Sequence, residues 1–203
     1  TVAWTGASEK TLQRLGDTDY EKIYLYPNSH AGYYPGAKPI AMKVLFRKSD
    51  GRLLGAQALG EDNVDKRVSA LALAIQMGAT IYDLEDAELS CAPQSGSAKD
   101  PVNLAGMVAA DVLDGDMPIA HWDQTRAAFL LDVRQPAEVA EDTIPGATVI
   151  PLPDLRTRLG ELPRDEEILV VCRSAQRAYY ATRVLLQNGF RAPSLQQQYF
   201  ATT

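Results

Sequence analysis

The chain has 203 residues, a length that suits one large domain or two small ones. With 46% apolar residues, 23% charged residues and a formal charge of -6, it reads as a soluble globular protein without the basic footprint that nucleic acid requires. Its apolar runs fall short of the ~18 residues of a spanning helix, no signal-like segment opens the chain, and two cysteines and two histidines are too few for a disulfide scaffold or a metal centre. These exclusions point to a reduced, cytoplasmic setting with no membrane, nucleic-acid or metal partner. The opening "TVAWTG" has no initiator Met and enters a strand directly, as expected of a piece of something longer.

In chain order, the alternation from Tyr20 to Tyr26 predicts a strand. The stretch "PIAMKVLFRKSDGRLLGAQALG" predicts two more, paired antiparallel across an Asp50-Gly51 hairpin turn. Asn63 or Asp65 can start a helix that runs to Met77, since Val68, Leu71, Ala72 and Ile75 recur at helical spacing before Gly78. A second helix begins at Asp100-Pro101, with Leu104, Met107, Val108 and Val112 on one face. The first half therefore reads as α+β, a small antiparallel sheet with helices on one side.

Near residue 120 the composition changes. The first 120 residues carry eleven basic and sixteen acidic side chains, whereas from His121 onward all nine basic residues are arginine, against ten acidic ones. With Gly115 and Pro118 in the intervening stretch, two domains are expected, residues 1–120 and 121–203. In the second, "AFLLDV", "ATVIPL" and "EILVV" read as apolar strands, and "QPAEVAED", "PDLRTRLGEL" and "AQRAYYATRVLLQNG" as helices. Buried strands alternating with helices predict an α/β domain with a parallel sheet, in which ligands bind beyond the carboxyl ends of strands. Cys172 stands at such an end.

Cys172, Arg173, Ser174, Ala175, Gln176 and Arg177 turn that strand directly into a helix. Backbone N–H groups wrapped at a helix start, with the helix dipole, form an anion pocket that favours thiolate over thiol, so cysteines in such places titrate below the free value of ~8.5. Ser174 can add a hydroxyl donor, and Arg173 or Arg177 can hold an anionic substrate or screen the thiolate. A cysteine closing an aliphatic strand is more often an inert small hydrophobe. Strand end, helix start and two arginines within five residues together favour a reactive sulfur.

On "LLDVRQPAEVAEDTIPGATVIPL" followed by "VVCRSAQRA", residues from about 122 to 203 resemble the rhodanese family of sulfurtransferases. The resemblance implies that Cys172 takes a sulfane sulfur from a donor such as thiosulfate or a persulfide. The sulfur then passes, from Cys–S–SH, to a thiol or cyanide. Asp132 and Arg134 match the family's "DVR" element and Glu138 the acidic residue after it, which implies internal salt-bridge scaffolding. Related phosphatases have one more residue between the loop's cysteine and arginine, enlarging the pocket for phosphate. The six-residue span from Cys172 to Arg177 favours sulfur transfer. Three positions depart from the family pattern. Ala175 replaces a glycine, at a cost of ~1 kcal/mol if positive φ is needed there, Thr143 replaces a histidine, and "SLQQQYFATT" lacks a Gly-Gly.

The first half, on "TGASEKTLQRLG", "YPNSHAGYYPGAKPIAMKVLF", "LLGAQALGEDNVDKR" and "APQSGSAKDPVNLAGMVA", resembles the C-terminal dimerisation domain of pyridine nucleotide-disulfide reductases, within the coenzyme A-disulfide reductase group. Some members of that group carry a rhodanese domain in this order. The resemblance implies a homodimer through residues 1–120 and FAD and NAD(P)H held by domains preceding Thr1. No G-x-G-x-x-G followed by a suitable acidic residue occurs here. It also implies that Tyr33 reaches the partner subunit's active site, that Cys91 replaces a second such tyrosine, and that Lys99 contacts a coenzyme A phosphate. Gln94 and Ser95 replace a proline and an aromatic residue, and His30 reads as a structural hydrogen-bonding histidine.

Together these readings predict the C-terminal part of a flavin-dependent NAD(P)H coenzyme A-disulfide, persulfide or polysulfide reductase. Sulfur is carried on Cys172 and accepted by coenzyme A or a persulfide, and coenzyme A is the one cofactor this chain itself can bind. The alternative is a non-catalytic dimerisation and interaction module with a silent rhodanese fold.

Overall fold

In the computed structural model, which describes residues 1–121 and 128–195, the chain divides into two units, Thr1–Asp114 and Gly115–Thr203. The first contains β1 (Val2–Gly6), α1 (Glu9–Arg14), β2 (Tyr20–Leu25), β3 (Ile40–Arg47), β4 (Leu53–Gly60), α2 (Val64–Met77), α3 (Ile81–Glu85) and α4 (Pro101–Leu113). Its strands are antiparallel in the order β1-β4-β3-β2, and alternation along β3 turns Ile40, Met42, Val44 and Phe46 inward. They share one core with Val64, Val68 and Leu71 of α2 and Val102, Ala105 and Ala109 of α4. This is the α+β arrangement that the alternating and helical patterns predict.

The structure corrects the sequence reading at two places in this unit. The β3–β4 connection is longer than a two-residue turn: residues 48–52 separate the strands, with Gly51 at φ +71° and Asp50 accepting the Arg52 N–H at 2.9 Å. The helix α4 buries Val102, Ala105, Gly106, Ala109 and Ala110, whereas Leu104, Met107, Val108 and Val112 are half-buried. The cause is α3, an element the apolar pattern does not reveal. A Cβ on Gly106 would stand 2.4 Å from the Glu85 nitrogen and 2.7 Å from the Ile81 oxygen, so the two helices meet backbone to backbone. Asp100 caps α4 by accepting the Val102 N–H at 3.1 Å, while Asn63 precedes α2 at φ +57° with no side-chain cap.

The second unit contains β5 (Ile119–Ala120), β6 (Phe129–Asp132), α5 (Pro136–Glu141), β7 (Thr148–Val149), β8 (Ile168–Val171), α6 (Gln176–Gln187) and β9 (Ser194–Leu195). Its sheet is parallel, in the order β5-β9-β8-β6-β7, as expected of an α/β domain. The helix expected over residues 153–162 is instead two 3-10 turns, Leu152–Thr157 and Leu159–Glu161. Pro151, Pro153 and Gly160 deprive that segment of donors and rigidity. The central strand β8 is buried along its whole length. Ile168 and Val170 join one core with Leu131, Leu155 and Leu185, while Leu169 and Val171 join another with Ala120, Ile144 and Leu195. Alternation carries Cys172 to the first of these, where Ala178 and Ala181 of α6 also lie.

Among the described residues, no helix is long and apolar enough to cross a membrane. Nor does any group of three or more His, Cys, Asp or Glu there have the arrangement to hold a metal ion.

Candidate active site at the end of the central strand

Cys172 leaves the carboxyl end of β8 and is only 2% exposed. The chain then reverses through Ala175, whose φ of +66° places a non-glycine residue in the left-handed region, and α6 begins at Gln176. Ala175 offers no side chain to cap this helix. Cys172 takes that role, its Sγ accepting the Ala178 N–H at 3.3 Å. An orphan donor of the first turn is thereby satisfied by sulfur, at the positive end of a twelve-residue helix. Of the several inward N–H groups expected from the sequence, this is the one donated to Sγ among the described residues.

The two loop arginines have different surroundings. Arg177, in the first turn of α6, donates from Nη1 and Nη2 to the two carboxylate oxygens of Glu138 on α5, at 2.5 and 2.7 Å. Glu138 also accepts the Gln135 N–H at 3.0 Å. The Arg177 hydrogen bonds, and after them the Gln135 N–H and the charges of Arg177 and Arg173, outweigh burial and bring the Glu138 carboxyl down to about 2. Arg177 is in turn held more firmly protonated, chiefly by Glu138. Arg173 is exposed and has no hydrogen bond or ion pair among the described residues, although its charge reaches Glu138.

Asp132 and Arg134 form a separate buried pair. Asp132 Oδ2 accepts from Arg134 Nη2 at 2.7 Å and from Nε at 2.9 Å, and Oδ1 accepts the Arg134 backbone N–H at 3.0 Å. Arg134 Nη2 also donates to the Asp142 carbonyl at 2.8 Å, tying the end of β6 to the end of α5. Asp132 pairs in register with Val171, the residue before Cys172. The sequence groups Glu138 with these two residues, whereas in space its hydrogen-bonded side-chain partner is Arg177, 39 positions away. That contact, and the role of Ala178, carry no local sequence signal.

Ser174 is half-buried with its hydroxyl unbonded among the described residues, and the Gln176 amide donates along the helix to the Tyr180 hydroxyl at 3.4 Å. Thr143, in the place of the family's histidine, donates to the Val139 carbonyl at 2.9 Å and closes α5. The tail from Gln196, with its missing Gly-Gly, lies outside the described residues.

In the first unit, Tyr33 is 84% exposed and Cys91 is exposed. Their loops are joined where the Ala31 N–H donates to the Gly96 carbonyl at 2.9 Å. The second loop is anchored by Arg67 of α2, which is 1% exposed and donates from Nη2 to Asp100 at 2.8 Å and to the Ser95 carbonyl at 3.4 Å. Sequence reasoning missed Arg67. The signal was its place on the apolar stripe of Val64, Val68 and Leu71. Lys99 is exposed with its ammonium unbonded among the described residues. His30 is buried, its Nδ1 donating to the Ala31 carbonyl at 3.2 Å and its ring set edge-on to Tyr34.

Residues 1–99 match the pyridine nucleotide-disulphide oxidoreductase dimerisation domain, and residues 119–197 match the rhodanese-like domain. The chain joins a dimerisation domain of that oxidoreductase family to a rhodanese-like domain. It is 36% identical over 109 residues to coenzyme A disulfide reductase of Staphylococcus epidermidis, covering 54% of this chain and 24% of that one. In structure it is similar to the reduced CoADR-RHD of Bacillus anthracis, with a TM-score of 0.94 and 42% identity, and to a NAD-dependent persulfide reductase from A. fulgidus, with 0.87 and 34%. Each comparison covers 97% of this chain and 36% of the other. The chain thus spans about a quarter of the curated relative's length and about a third of these solved chains. Neither domain's sequence carries the G-x-G-x-x-G turn that holds a dinucleotide pyrophosphate.

Proposed function

We propose that the rhodanese-like domain carries sulfane sulfur on Cys172. In a longer, cytoplasmic, homodimeric polypeptide it would supply a flavin-dependent NAD(P)H reductase of coenzyme A disulfide, persulfides or polysulfides. The observation that carries this reading is the Cys172 sulfur at the positive end of α6, bonded to the Ala178 N–H, in a loop with two arginines. The Cys172 thiolate attacks the outer sulfur of a donor, and a new S–S bond forms as the donor's own S–S bond breaks. Sulfite leaves from thiosulfate, or a thiolate from a persulfide, with the electron pair. The helix end and the Ala178 N–H stabilise negative sulfur through this exchange. An acceptor thiolate, that of coenzyme A or another thiol, then attacks the outer sulfur, and Cys172 departs as thiolate. Tyr33 and Cys91 would face the partner subunit's active site, Lys99 would hold a coenzyme A phosphate, and FAD and NAD(P)H would act outside this chain.

Mass spectrometry after exposure to thiosulfate or glutathione persulfide tests the carrier step. The Cys172 peptide should gain one sulfur atom, and Cys172→Ser should lose sulfur transfer. Equal transfer rates in the two proteins would overturn the proposal. A stable dimer with an unmodifiable Cys172 would favour the interaction module instead.

A further inference from the structure

Arg173 and Arg177 lie four positions apart in the loop that carries Cys172, yet among the described residues only Arg177 has its charge paired with a carboxylate. Both Nη groups of Arg177 are taken by the Glu138 carboxylate, at 2.5 and 2.7 Å. A guanidinium whose two Nη groups already hold a carboxylate keeps its Nε–H donor but offers a second anion little net charge. Glu138 is itself fixed, since it stands in the first turn of α5 and accepts the Gln135 N–H at 3.0 Å. Arg173 is exposed and makes no hydrogen bond or ion pair among the described residues.

Building on the reading of Cys172 as a sulfur carrier, we infer that Glu138 is a positioning residue that sequesters Arg177 and leaves Arg173 as the cation that selects anionic sulfur donors. The favoured donor class bears a negative group beside the transferred sulfur, as thiosulfate does. Neutral polysulfides gain nothing from Arg173. The carboxylate on α5 therefore sets the loop's available charge at one guanidinium rather than two.

Peptide-resolved alkylation of the full chain reads this charge without needing sulfur transfer. Anionic iodoacetate and neutral iodoacetamide both react by thiolate displacement of iodide. The ratio of their rates at Cys172 reports the charge met on approach, and any change in the thiol's own acidity cancels. Arg173→Gln should lower the iodoacetate-to-iodoacetamide ratio at least about fivefold, the effect of one charge ~4 Å away when water screens it fully. Arg173→Lys should hold it near wild type. Glu138→Gln, by releasing Arg177, should raise it about as much, and the double variant should return towards wild type. Thermal melts identify any variant that has not folded, and Arg173→Gln, a change at an exposed side chain, is decisive if Glu138→Gln does not fold. An unchanged ratio in Arg173→Gln, or a folded double variant no higher than Arg173→Gln alone, overturns the inference. A Cys172 that neither reagent reaches overturns it together with the carrier reading. A shifted ratio without any sulfur adduct from thiosulfate or persulfide supports the charge assignment and overturns the carrier reading alone.

Discussion

Ala175 holds φ +66° where a glycine would sit without strain. The left-handed conformation costs an alanine ~1–2 kcal/mol, and glycine's greater freedom in the unfolded chain offsets ~0.4–1 kcal/mol of any relief. Ala175→Gly should therefore stabilise the rhodanese-like domain by roughly 0.5–1 kcal/mol, read as a raised urea midpoint with an unchanged slope. Glu138 gives the second prediction at this scale. Its carboxyl lies at about 2 when folded, below the ordinary 4.5, so its stabilising share is complete above pH 4.5 and is lost as pH falls towards 2. Wild type should lose stability across that window more steeply than Glu138→Gln, and parallel profiles would contradict the Arg177 pairing. The place of Cys172 was legible because a strand there runs straight into a helix, and the positive φ at Ala175 only as a condition suggested by the glycine that the resembled family has at that position. The Arg177–Glu138 pair was not, because it depends on where α5 lies after folding.

At the scale of elements, the contact between α3 and α4 is a tight constraint in the dimerisation domain. A methyl on Gly106 meets the backbone of Ile81 and Glu85, which cannot swing aside as a flexible side chain can. Gly106→Ala should cost ~1–3 kcal/mol or more, as overpacked cores do, and a melting temperature equal to wild type would show that the helices separate easily. The helix at Asp100-Pro101 was visible from its cap, but its buried face was not. Spacing rules favour large apolar side chains, whereas close helix approach selects small ones, and the partner helix is too short to announce itself. The same limit applies to β5 and β9, each of two residues and too brief for any period to register, whereas β7, equally short, was visible within the apolar run "ATVIPL". Over residues 153–162, helical spacing was present but proline and glycine outweighed it.

For the whole molecule, the two classes of sheet were readable because alternating strands and continuous apolar strands demand different partners. The dimerisation domain leads us to expect a dimer in sedimentation velocity at micromolar concentration, and a monomer persisting at high concentration would count against association through residues 1–120. Structure adds that each unit has cores of its own, on either side of the division between Asp114 and Gly115. That division has a counterpart in protease chemistry. The last lysine is Lys99, so a lysine-specific endoprotease leaves residues 100–203 in one piece, with the entire rhodanese-like domain, and releases Cys91 on a fragment ending at Lys99. The two thiols part in a single digestion, and the sulfur load of Cys172 can be weighed on a fragment that contains no other cysteine.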